Sequence, residues 1–500
     1  MKNISSNHQS DKYFCTDHLK ADLKGRSVRG GVITMTAQAL KFILTLGSNV
    51  ILARLLTPQD YGLVGMVTAV IGFVSIFKDL GLSMATIQKE EINHEQVSTL
   101  FWVNVALSIA IALLTIALAP GIAWFYKEPR LIWITIALAS GFILSGLGVQ
   151  HSALLNRQMQ YRALMVNDII SMLSGVFAAI VSVFYGIGYW ALIILPIVIS
   201  FVSTVGYWII CSWRPGLPRR VFGVGSMLAF GGNLTGFTII NYFARNLDNI
   251  LIGRYWGSQE LGLYAKAYQL MVLPLSQINA PIANVVIPTL SRLQEEPEKF
   301  RQYYLKALSF IVFITIPSSL FMMVMAQEII IFILGPQWYE AAVIFQALSL
   351  SAIIQPIYNT SGWLYMATGK TSLMLKFGGT ISILLVCSFL IGLPYKAQGV
   401  AFCYAIALIF LSIPAMYYAI QRTSITLMDL LNVIKKPLIA SLMGSIATFA
   451  VKTVIGLKLP LIITILASFM AMITIYILTM FYLFEMKNFY LNIFQSFRQK

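Results

Sequence analysis

The segment at residues 49–63, NVILARLLTPQDYGL, reappears two hundred positions later at residues 249–263 as NILIGRYWGSQELGL. The asparagine, arginine, glutamine, glycine and final leucine are identical in the two copies, and Asp60 is replaced by Glu260. Both copies lie next to long apolar stretches of the chain. This internal repeat therefore predicts two tandem copies of one helical membrane unit.

The composition is that of a membrane protein with many helices. Hydrophobic residues make up 58% of the 500 residues, mean hydropathy is +0.78 and only 11% of residues are charged, whereas charged residues make up about a quarter of soluble domains. A helix needs about 20 apolar residues to cross a bilayer. Fourteen such runs lie at residues 31–55, 61–82, 100–119, 131–155, 166–185, 190–211, 224–253, 261–288, 303–326, 341–366, 373–390, 400–420, 433–455 and 460–484. The predicted fold class is an all-α polytopic membrane protein of about 14 transmembrane helices, with two six-helix lobes and two extra C-terminal helices.

The predicted domains follow the grouping of these runs. They are a cytoplasmic N-terminal tail at 1–28, an N-lobe at 29–213, a cytoplasmic linker at 214–221, a C-lobe at 222–421, and helices 13 and 14 with a cytoplasmic C-terminal tail at 422–500. The N-terminal tail lacks the apolar core of a signal peptide and is expected to be flexible. Segments 119–126 and 326–335 are expected to form amphipathic elbows at the outer surface. Repeats of this kind place a binding site between two lobes in many transporters, so we expect the functional site at that seam.

The net charge of +16 is distributed as membrane topology requires. Lys and Arg concentrate in the N-terminal tail and in alternate loops, which the positive-inside rule assigns to the cytoplasm. Both termini are then cytoplasmic. The basic residues are interpreted as topology determinants, and no nucleic-acid partner is expected. The four cysteines have no CxxC spacing, so no disulfide framework is expected.

Two polar stripes cross the predicted membrane helices. On the first helix the polar side chains step by three or four residues and therefore share one face; they are Thr34, Gln38, Lys41, Thr45 and Ser48. Adding two hundred to these positions gives the corresponding face of the seventh helix; it carries Leu234, Thr238, Asn241, Arg245 and Asp248. Each stripe contains one cation. Lys41 is thirteen residues before Arg54, roughly 20 Å along a helix, and is therefore expected near the bilayer midplane.

An ionisable side chain at this depth costs about 2.5–3.5 kcal/mol, so it usually faces a wet cavity or a partner. We interpret the stripes as the walls of a water-filled cavity in which Lys41 and Arg245 attract an anion. Two unit charges about 6 Å apart attract by roughly 3 kcal/mol at an effective dielectric of about 20. Two alternatives stay open: Lys41 extends to the interface, or Arg245 is neutralised by Asp248 one turn away.

Acidic residues are candidates for ion coupling. Asp168 either binds a coupling proton or lies in the solvated interface, and Asp248 is a second candidate. No His, Cys or carboxylate cluster has metal-ligand spacing, and no P-loop pattern occurs. No metal or other cofactor is therefore expected, and ATP is not expected to drive the protein directly.

Several blocks resemble one known family. They are ILARLLTPQDYGLVGMVTAV at 51–70, FKDLGLSMATIQKEEINHEQVSTLFWVNV at 77–105, ARNLDNILIGRYWGSQELGLYAKAYQL at 244–270 and MATGK at 366–370. Together they resemble the polysaccharide transporter family of the multidrug/oligosaccharidyl-lipid/polysaccharide flippase superfamily, in particular exporters of Wzx type. The similarity covers approximately residues 29–421. The N-terminal tail and the last two helices share only their general composition with the family.

The resemblance implies a function and partners. It implies a flippase, and not an enzyme, that moves undecaprenyl-diphosphate-linked oligosaccharide repeat units across the bacterial inner membrane by ion-coupled alternating access, for O-antigen, colanic acid or exopolysaccharide synthesis. Lys41 and Arg245 would then hold the diphosphate, and polar groups such as Gln38, Thr45 and Asn241 would accommodate sugars. The implied partners are the lipid-linked oligosaccharide, membrane lipids, and a polysaccharide polymerase and chain-length regulator.

Three alternatives are less well supported by the sequence. A drug/cation antiporter of the same superfamily usually has twelve helices and binds its substrate at buried carboxylates, whereas the charges expected at the midplane here are mainly basic. A lipid II flippase shares the helix number, but its sequence blocks look different. A membrane polysaccharide polymerase would need a large outer loop with catalytic residues, and the predicted outer loops are short.

Overall fold

A computed structural model describes residues 13–14, 23–75, 82–89, 92–218, 224–421, 423–456 and 459–486. Within these ranges, side chains are described except at 23–24, 26–28, 82, 85, 224–241, 243–244, 371 and 455. The helices of the first half are α1 (Leu23–Leu55), α2 (Pro58–Ser75), α3 (Leu82–Gln88), α4 (His94–Tyr126), α5 (Leu131–Arg157), α6 (Tyr161–Phe184) and α7 (Trp190–Ile210). The described loops at residues 56–57, 127–130, 158–160 and 185–189 are short.

The second half begins with an unusually long helical segment, α8 (Val224–Arg292), of 69 residues. Gly257 interrupts it with φ 82° and ψ −172°, a backbone conformation that glycine adopts because it has no Cβ. The remaining helices are α9 (Pro297–Val324), α10 (Ala326–Leu334), α11 (Ala341–Ala367), α12 (Thr371–Gly392), α13 (Lys396–Ile420), α14 (Leu427–Ile455) and α15 (Leu461–Leu478). Short 3₁₀ turns occupy Pro336–Trp338 and Leu393–Tyr395, and a π-helical turn, Thr479–Leu483, ends α15.

This architecture confirms the predicted all-α polytopic fold. When α8 is divided at Gly257 and the short helices α3 and α10 are set aside, fourteen long helices remain in the described part of the chain. Eleven described segments are long and apolar enough to cross a membrane. Two of them, Arg245–Arg292 and Ser372–Ile420, have 48 and 49 residues, which is enough for two crossings each.

One of the two predicted elbows is wrong. Residues 119–126 continue α4, with Pro120 inside the helix, and α4 ends where Lys127 adopts the left-handed conformation with φ 56°. The backbone N–H of Lys127 then donates to the carbonyls of Ala123 and Trp124 and closes the helix end. The equivalent segment after α9 does form a separate helix, α10.

Contacts divide the chain into two units. The first comprises Met1–Asn246 and Gly253–Ser258, and the second comprises Leu247–Ile252 and Gln259–Lys500. This division falls later in the chain than the predicted linker at 214–221. The first part of α8 belongs to the first unit, where the Tyr242 hydroxyl donates to the carbonyl of Ala69 at 2.6 Å.

The N-terminal segment is anchored at Tyr13 and Phe14, so the expectation of a flexible tail is wrong at these two residues. Tyr13 is buried, and its carbonyl accepts a hydrogen bond from Gln158 Nε2 at 3.0 Å. The carbonyl of Phe14 accepts from Arg157 Nη2 at 3.3 Å. These bonds attach the segment to the end of α5.

The extra C-terminal helices are integrated into the second unit. Near the start of α14, Asp429 accepts two hydrogen bonds from the Arg301 guanidinium, at 2.9 and 2.6 Å. Near its end, Lys452 pairs with Glu328 of α10 at 2.9 Å. Helix α14 is thus fixed at both ends by ion pairs, which the hydropathy pattern alone does not predict.

Candidate functional site

The polar stripe of the first helix carries an ion pair. The Lys41 ammonium on α1 donates to the carboxylate of Asp168 on α6, and the side chains are 33% and 26% exposed. Tyr207 of α7 donates its hydroxyl to the other oxygen of Asp168 at 3.1 Å. Three helices of the first unit therefore contribute to one cluster, formed by Lys41, Asp168 and Tyr207, which we call the lysine–aspartate cluster.

The hydroxyl groups near Lys41 are satisfied by their own helix. Thr45 Oγ1 donates to the carbonyl of Lys41 at 2.7 Å, and Ser48 Oγ donates to the carbonyl of Thr45 at 3.0 Å. Such back-bonding lets a hydroxyl lie on an apolar helix without an unpaired donor. Gln38 and Thr45 are exposed, and Lys41 is partly exposed, so their polar groups remain accessible along one face of α1.

The depth of the lysine–aspartate cluster makes the pairing physically significant. Lys41 lies fourteen residues before the end of α1 at Leu55, about 21 Å along the helix, whereas the hydrocarbon core is about 30 Å thick. Ionisable groups at this depth pair with one another or face water. Asp168 supplies that partner, from a position 127 residues away in the sequence.

The stripe on α8 contains a cation and a carboxylate in different environments. Arg245 is exposed and makes no ion pair within the described residues, whereas Asp248 is buried. The Asp248 carboxylate accepts hydrogen bonds from the Tyr264 hydroxyl and from the backbone N–H of Asn249, both at 2.8 Å. The side chain of Asn241 lies outside the described residues, so that predicted contact stays a prediction.

Asp248 belongs to a buried polar cluster of the second unit. Tyr264 is fully buried, its ring stacks on Tyr268 with a centroid distance of 6.2 Å, and Lys266 is 5% exposed. The Lys266 ammonium donates to Gln269 Oε1 at 3.1 Å. A buried carboxylate that accepts from a tyrosine and a backbone N–H is a suitable site for a proton or a small cation, because burial disfavours the bare negative charge.

Sequence reasoning did not pair the two tyrosines with these carboxylates, although a signal for the pairing exists. Tyr207 and Asp168 lie at nearly equal distances from the turn between α6 and α7, and Tyr264 and Asp248 lie at equal distances from Trp256, beside the break at Gly257. Residues placed symmetrically about a turn face each other in an antiparallel helical hairpin. The tyrosine partner of each carboxylate could therefore have been predicted by counting outward from each turn.

A family model described as polysaccharide biosynthesis protein matches residues 51–343. The chain is 27% identical over 376 residues to the lipopolysaccharide biosynthesis protein WzxC of Escherichia coli, with 74% of this chain and 76% of that protein covered. It is 25% identical over 340 residues to the succinoglycan biosynthesis transport protein ExoT of Rhizobium meliloti, with 67% of each covered.

Among solved structures, the lipid II flippase MurJ in an inward closed conformation is similar, with a TM-score of 0.72 and 16% identity over 92% of this chain and 99% of that one. At this identity the likeness is one of fold. The family model spans more than half of the chain, which confirms the resemblance drawn from the sequence blocks: the chain belongs to the polysaccharide biosynthesis protein family.

Proposed function

We propose that the protein is a flippase that moves undecaprenyl-diphosphate-linked oligosaccharide repeat units from the cytoplasmic to the periplasmic leaflet of the bacterial inner membrane. The product would supply synthesis of a surface polysaccharide such as O-antigen, colanic acid or an exopolysaccharide. Support comes from the family, from the WzxC and ExoT relatives, and from a fold shared with a lipid flippase. The observation that carries the proposal is the pairing of Lys41 with Asp168 at membrane depth.

Partner exchange at Lys41 is the proposed binding step. In the structure the ammonium is neutralised by a carboxylate, and it is still one-third exposed. A diphosphate has more negative charge and more acceptor oxygens than a carboxylate, so it can replace Asp168 as the partner of Lys41. The attraction of roughly 3 kcal/mol per close charge pair then offsets the cost of holding the phosphate groups in the membrane.

Other polar groups would accommodate the rest of the head group. Gln38 and Thr45 lie one turn on either side of Lys41 along α1, where an amide and a hydroxyl suit sugar hydroxyls. Arg245 and Asn241 would act in the same way from α8. The lipid tail would remain in the bilayer, so the protein need only shield the polar part of the substrate.

Ion coupling is assigned to the two carboxylates. Asp168 loses its cationic partner when substrate binds, and protonation of Asp168 would remove the unpaired charge that results. Asp248 is buried and held by Tyr264, so binding of a proton or small cation would neutralise it. Either carboxylate can thus link substrate movement to an ion gradient by alternating access.

The proposed setting is the inner membrane, with both termini cytoplasmic and the released product delivered to a periplasmic polymerase and its chain-length regulator. The topology rests on the Lys and Arg distribution. The polymerase and its regulator are expected to act downstream, because a flipped repeat unit requires an enzyme that consumes it.

The experiment is a chromosomal deletion complemented with plasmid-borne variants. We expect the deletion strain to lose surface polysaccharide and to accumulate undecaprenyl-diphosphate-linked oligosaccharide, whose intact mass would also identify the sugars. Wild-type protein should reverse both effects, Lys41→Arg should do so in part, and Lys41→Gln should fail at equal membrane-protein level. A deletion strain that accumulates no lipid-linked sugar would contradict the proposal.

A further inference from the structure

A cavity of about 720 Å³ lies beside the turn between α4 and α5 in the first unit. Its apolar wall includes Pro120, Ala123, Trp124 and Ile132, and its basic lining residues are Lys127 and Arg254. Apolar walls beside two cations match an amphiphile with an anionic head and a hydrocarbon tail. This cavity is separate from the lysine–aspartate cluster and is not used by the proposed transport step.

The charges around the cavity leave a positive balance. The lining carboxylate, Glu128, is bound by Arg130 through two hydrogen bonds of 2.8 Å, and these bonds hold the pKa of Glu128 below its usual range. The Arg254 guanidinium lies 5.6 Å from the centroid of the Phe125 ring, where the aromatic face attracts it. Lys127 forms no ion pair with any residue that the structure describes. The lining acid is therefore engaged by Arg130, and the charge of Lys127 is available to a ligand beside Arg254.

The cavity lies where a bilayer presents its head groups. Helix α4 ends at Tyr126 and α5 begins at Leu131, so the turn between them marks one edge of the apolar region. Trp124, on the last turn of α4, is 81% exposed, and Trp133, on the first turn of α5, is 66% exposed. Exposed tryptophans concentrate at the level of lipid head groups. Membrane lipid head groups are thus abundant at the level of the basic residues Lys127 and Arg254.

We propose that this cavity binds one anionic glycerophospholipid, with its phosphate between Lys127 and Arg254 and an acyl chain along the apolar wall. The mainly apolar lining favours a lipid phosphate over free inorganic phosphate. Since the lipid would contact both the α4–α5 turn and the segment Gly253–Ser258, it would stabilise the first unit at one face of the membrane.

The internal repeat offers a matched control. Arg54 occupies the position in the first copy that Arg254 occupies in the second. Arg54 is exposed at the end of α1 and does not line this cavity. Replacing Arg54 removes the same charge from the equivalent place in the repeat without touching the proposed site.

The test is native mass spectrometry of the full-length protein in detergent, titrated with phosphatidylglycerol or phosphatidylcholine. We expect one phosphatidylglycerol to bind in preference to phosphatidylcholine. The double variant Lys127→Gln/Arg254→Gln should weaken this binding roughly thirtyfold, and Lys127→Gln alone roughly fivefold, while Arg54→Gln should bind like wild type. The single variant, at an exposed loop residue, keeps the test decisive if the double variant does not fold.

Competition between ligands identifies which molecule occupies the cavity. Neither inorganic phosphate nor undecaprenyl phosphate should displace phosphatidylglycerol at equal concentration. Displacement by inorganic phosphate would overturn the proposal in favour of a simple anion site. Tighter binding of undecaprenyl phosphate would overturn it in favour of the carrier lipid, and unchanged binding by both cavity variants would remove the site altogether.

Discussion

Lys41 can lie deep in α1 because Asp168 pairs with its charge, while Tyr207 donates a hydrogen bond to the other oxygen of that carboxylate. A lone ammonium at this depth would cost a few kcal/mol, and a permanent pair would be inert. Partial exposure of both charged side chains leaves the pair open to exchange with an anionic ligand. The same residue thus has a structural partner in one state and a proposed substrate partner in another.

Exchanging the two charges separates these roles. Lys41→Asp/Asp168→Lys keeps an ion pair between α1 and α6, so the double variant should reach a membrane level near wild type. It should nevertheless export little polysaccharide, because the cation has moved to a different helix. Lys41→Gln alone should also abolish export, since an amide cannot replace roughly 3 kcal/mol of ionic attraction. Surface polysaccharide scored beside membrane-protein level is the measurement.

If the pair were only structural, the outcome would differ. Each single substitution would then lower the amount of folded protein, and the charge-swapped variant would recover both protein level and export. Full export by the swapped variant would therefore remove Lys41 from the proposed diphosphate site.

The buried carboxylate of the second unit gives a second residue-scale prediction. Asp248→Asn should leave the protein in the membrane but abolish ion-driven export, because a neutral amide cannot gain and release a cation. Tyr264→Phe removes one hydrogen-bond donor and should reduce export only in part. Export measured with and without a protonophore or a sodium gradient would test this. Glu298→Gln, at an exposed carboxylate, is the matched control, and wild-type export by Asp248→Asn would exclude Asp248 from coupling.

At the scale of helices, the apolar runs predicted the membrane elements well. Within the described residues, each of the fourteen predicted runs coincides with a long helix or with one part of α8, because hydrocarbon leaves a chain few alternatives to a helix. The gap between the seventh and eighth runs, residues 254–260, predicted a break there, and Gly257 lies within it. The continuation of α4 through Pro120 was not predicted, because it depends on local backbone geometry that hydropathy does not encode.

Contacts between helices were predictable only within hairpins. Counting outward from a turn finds the Asp168 contact with Tyr207 and the Asp248 contact with Tyr264. The same counting cannot find the partner of Lys41, because α1 and α6 are not consecutive and their register depends on packing. Sequence reasoning therefore selected Lys41, Asp168 and Asp248 separately but could not assemble them into sites.

The start of α2 supplies a prediction about helix packing. A Cβ added at Gly62 would lie 1.7 Å from the carbonyl oxygen of Ser258, so Gly62→Ala must displace backbone. Overpacking of this kind costs about 1–3 kcal/mol or more. We expect a clear fall in the melting temperature of the purified protein.

Gly141→Ala is the control for this change, since nothing lies within 4 Å of a Cβ at that helical position. It should be neutral or gain about 0.5–1 kcal/mol from the better helix propensity of alanine. Equal melting temperatures for the two variants would show that the close approach at Gly62 is not required.

At the scale of the whole molecule, the internal repeat and the charge pattern carry most of the sequence information about architecture and membrane orientation. The repeat of residues 49–63 at 249–263 predicts two related halves, and the alternation of basic loops predicts their orientation in the membrane. The pairing of distant residues such as Arg301 and Asp429, which joins α14 to the second unit, is not visible at this level.

Single cysteines at exposed positions would test the topology. Gln59 and Gln398 should react with an impermeant thiol reagent in intact cells, whereas Pro218 and Glu296 should react only after the membrane is opened. All four residues are exposed, so accessibility within the protein does not limit labelling. Protection of Gln59 together with labelling of Pro218 would invert the proposed orientation.

The central claim, movement of a lipid-linked oligosaccharide between leaflets, is tested most directly in spheroplasts of the deletion strain. A membrane-impermeant glycan-oxidising reagent modifies only sugars on the outer leaflet, and mass spectrometry of the extracted lipid-linked oligosaccharide gives the modified fraction. We predict extensive modification with wild-type protein, and protection both without the protein and with Lys41→Gln at equal protein level. Equal modification with and without the protein would contradict the account.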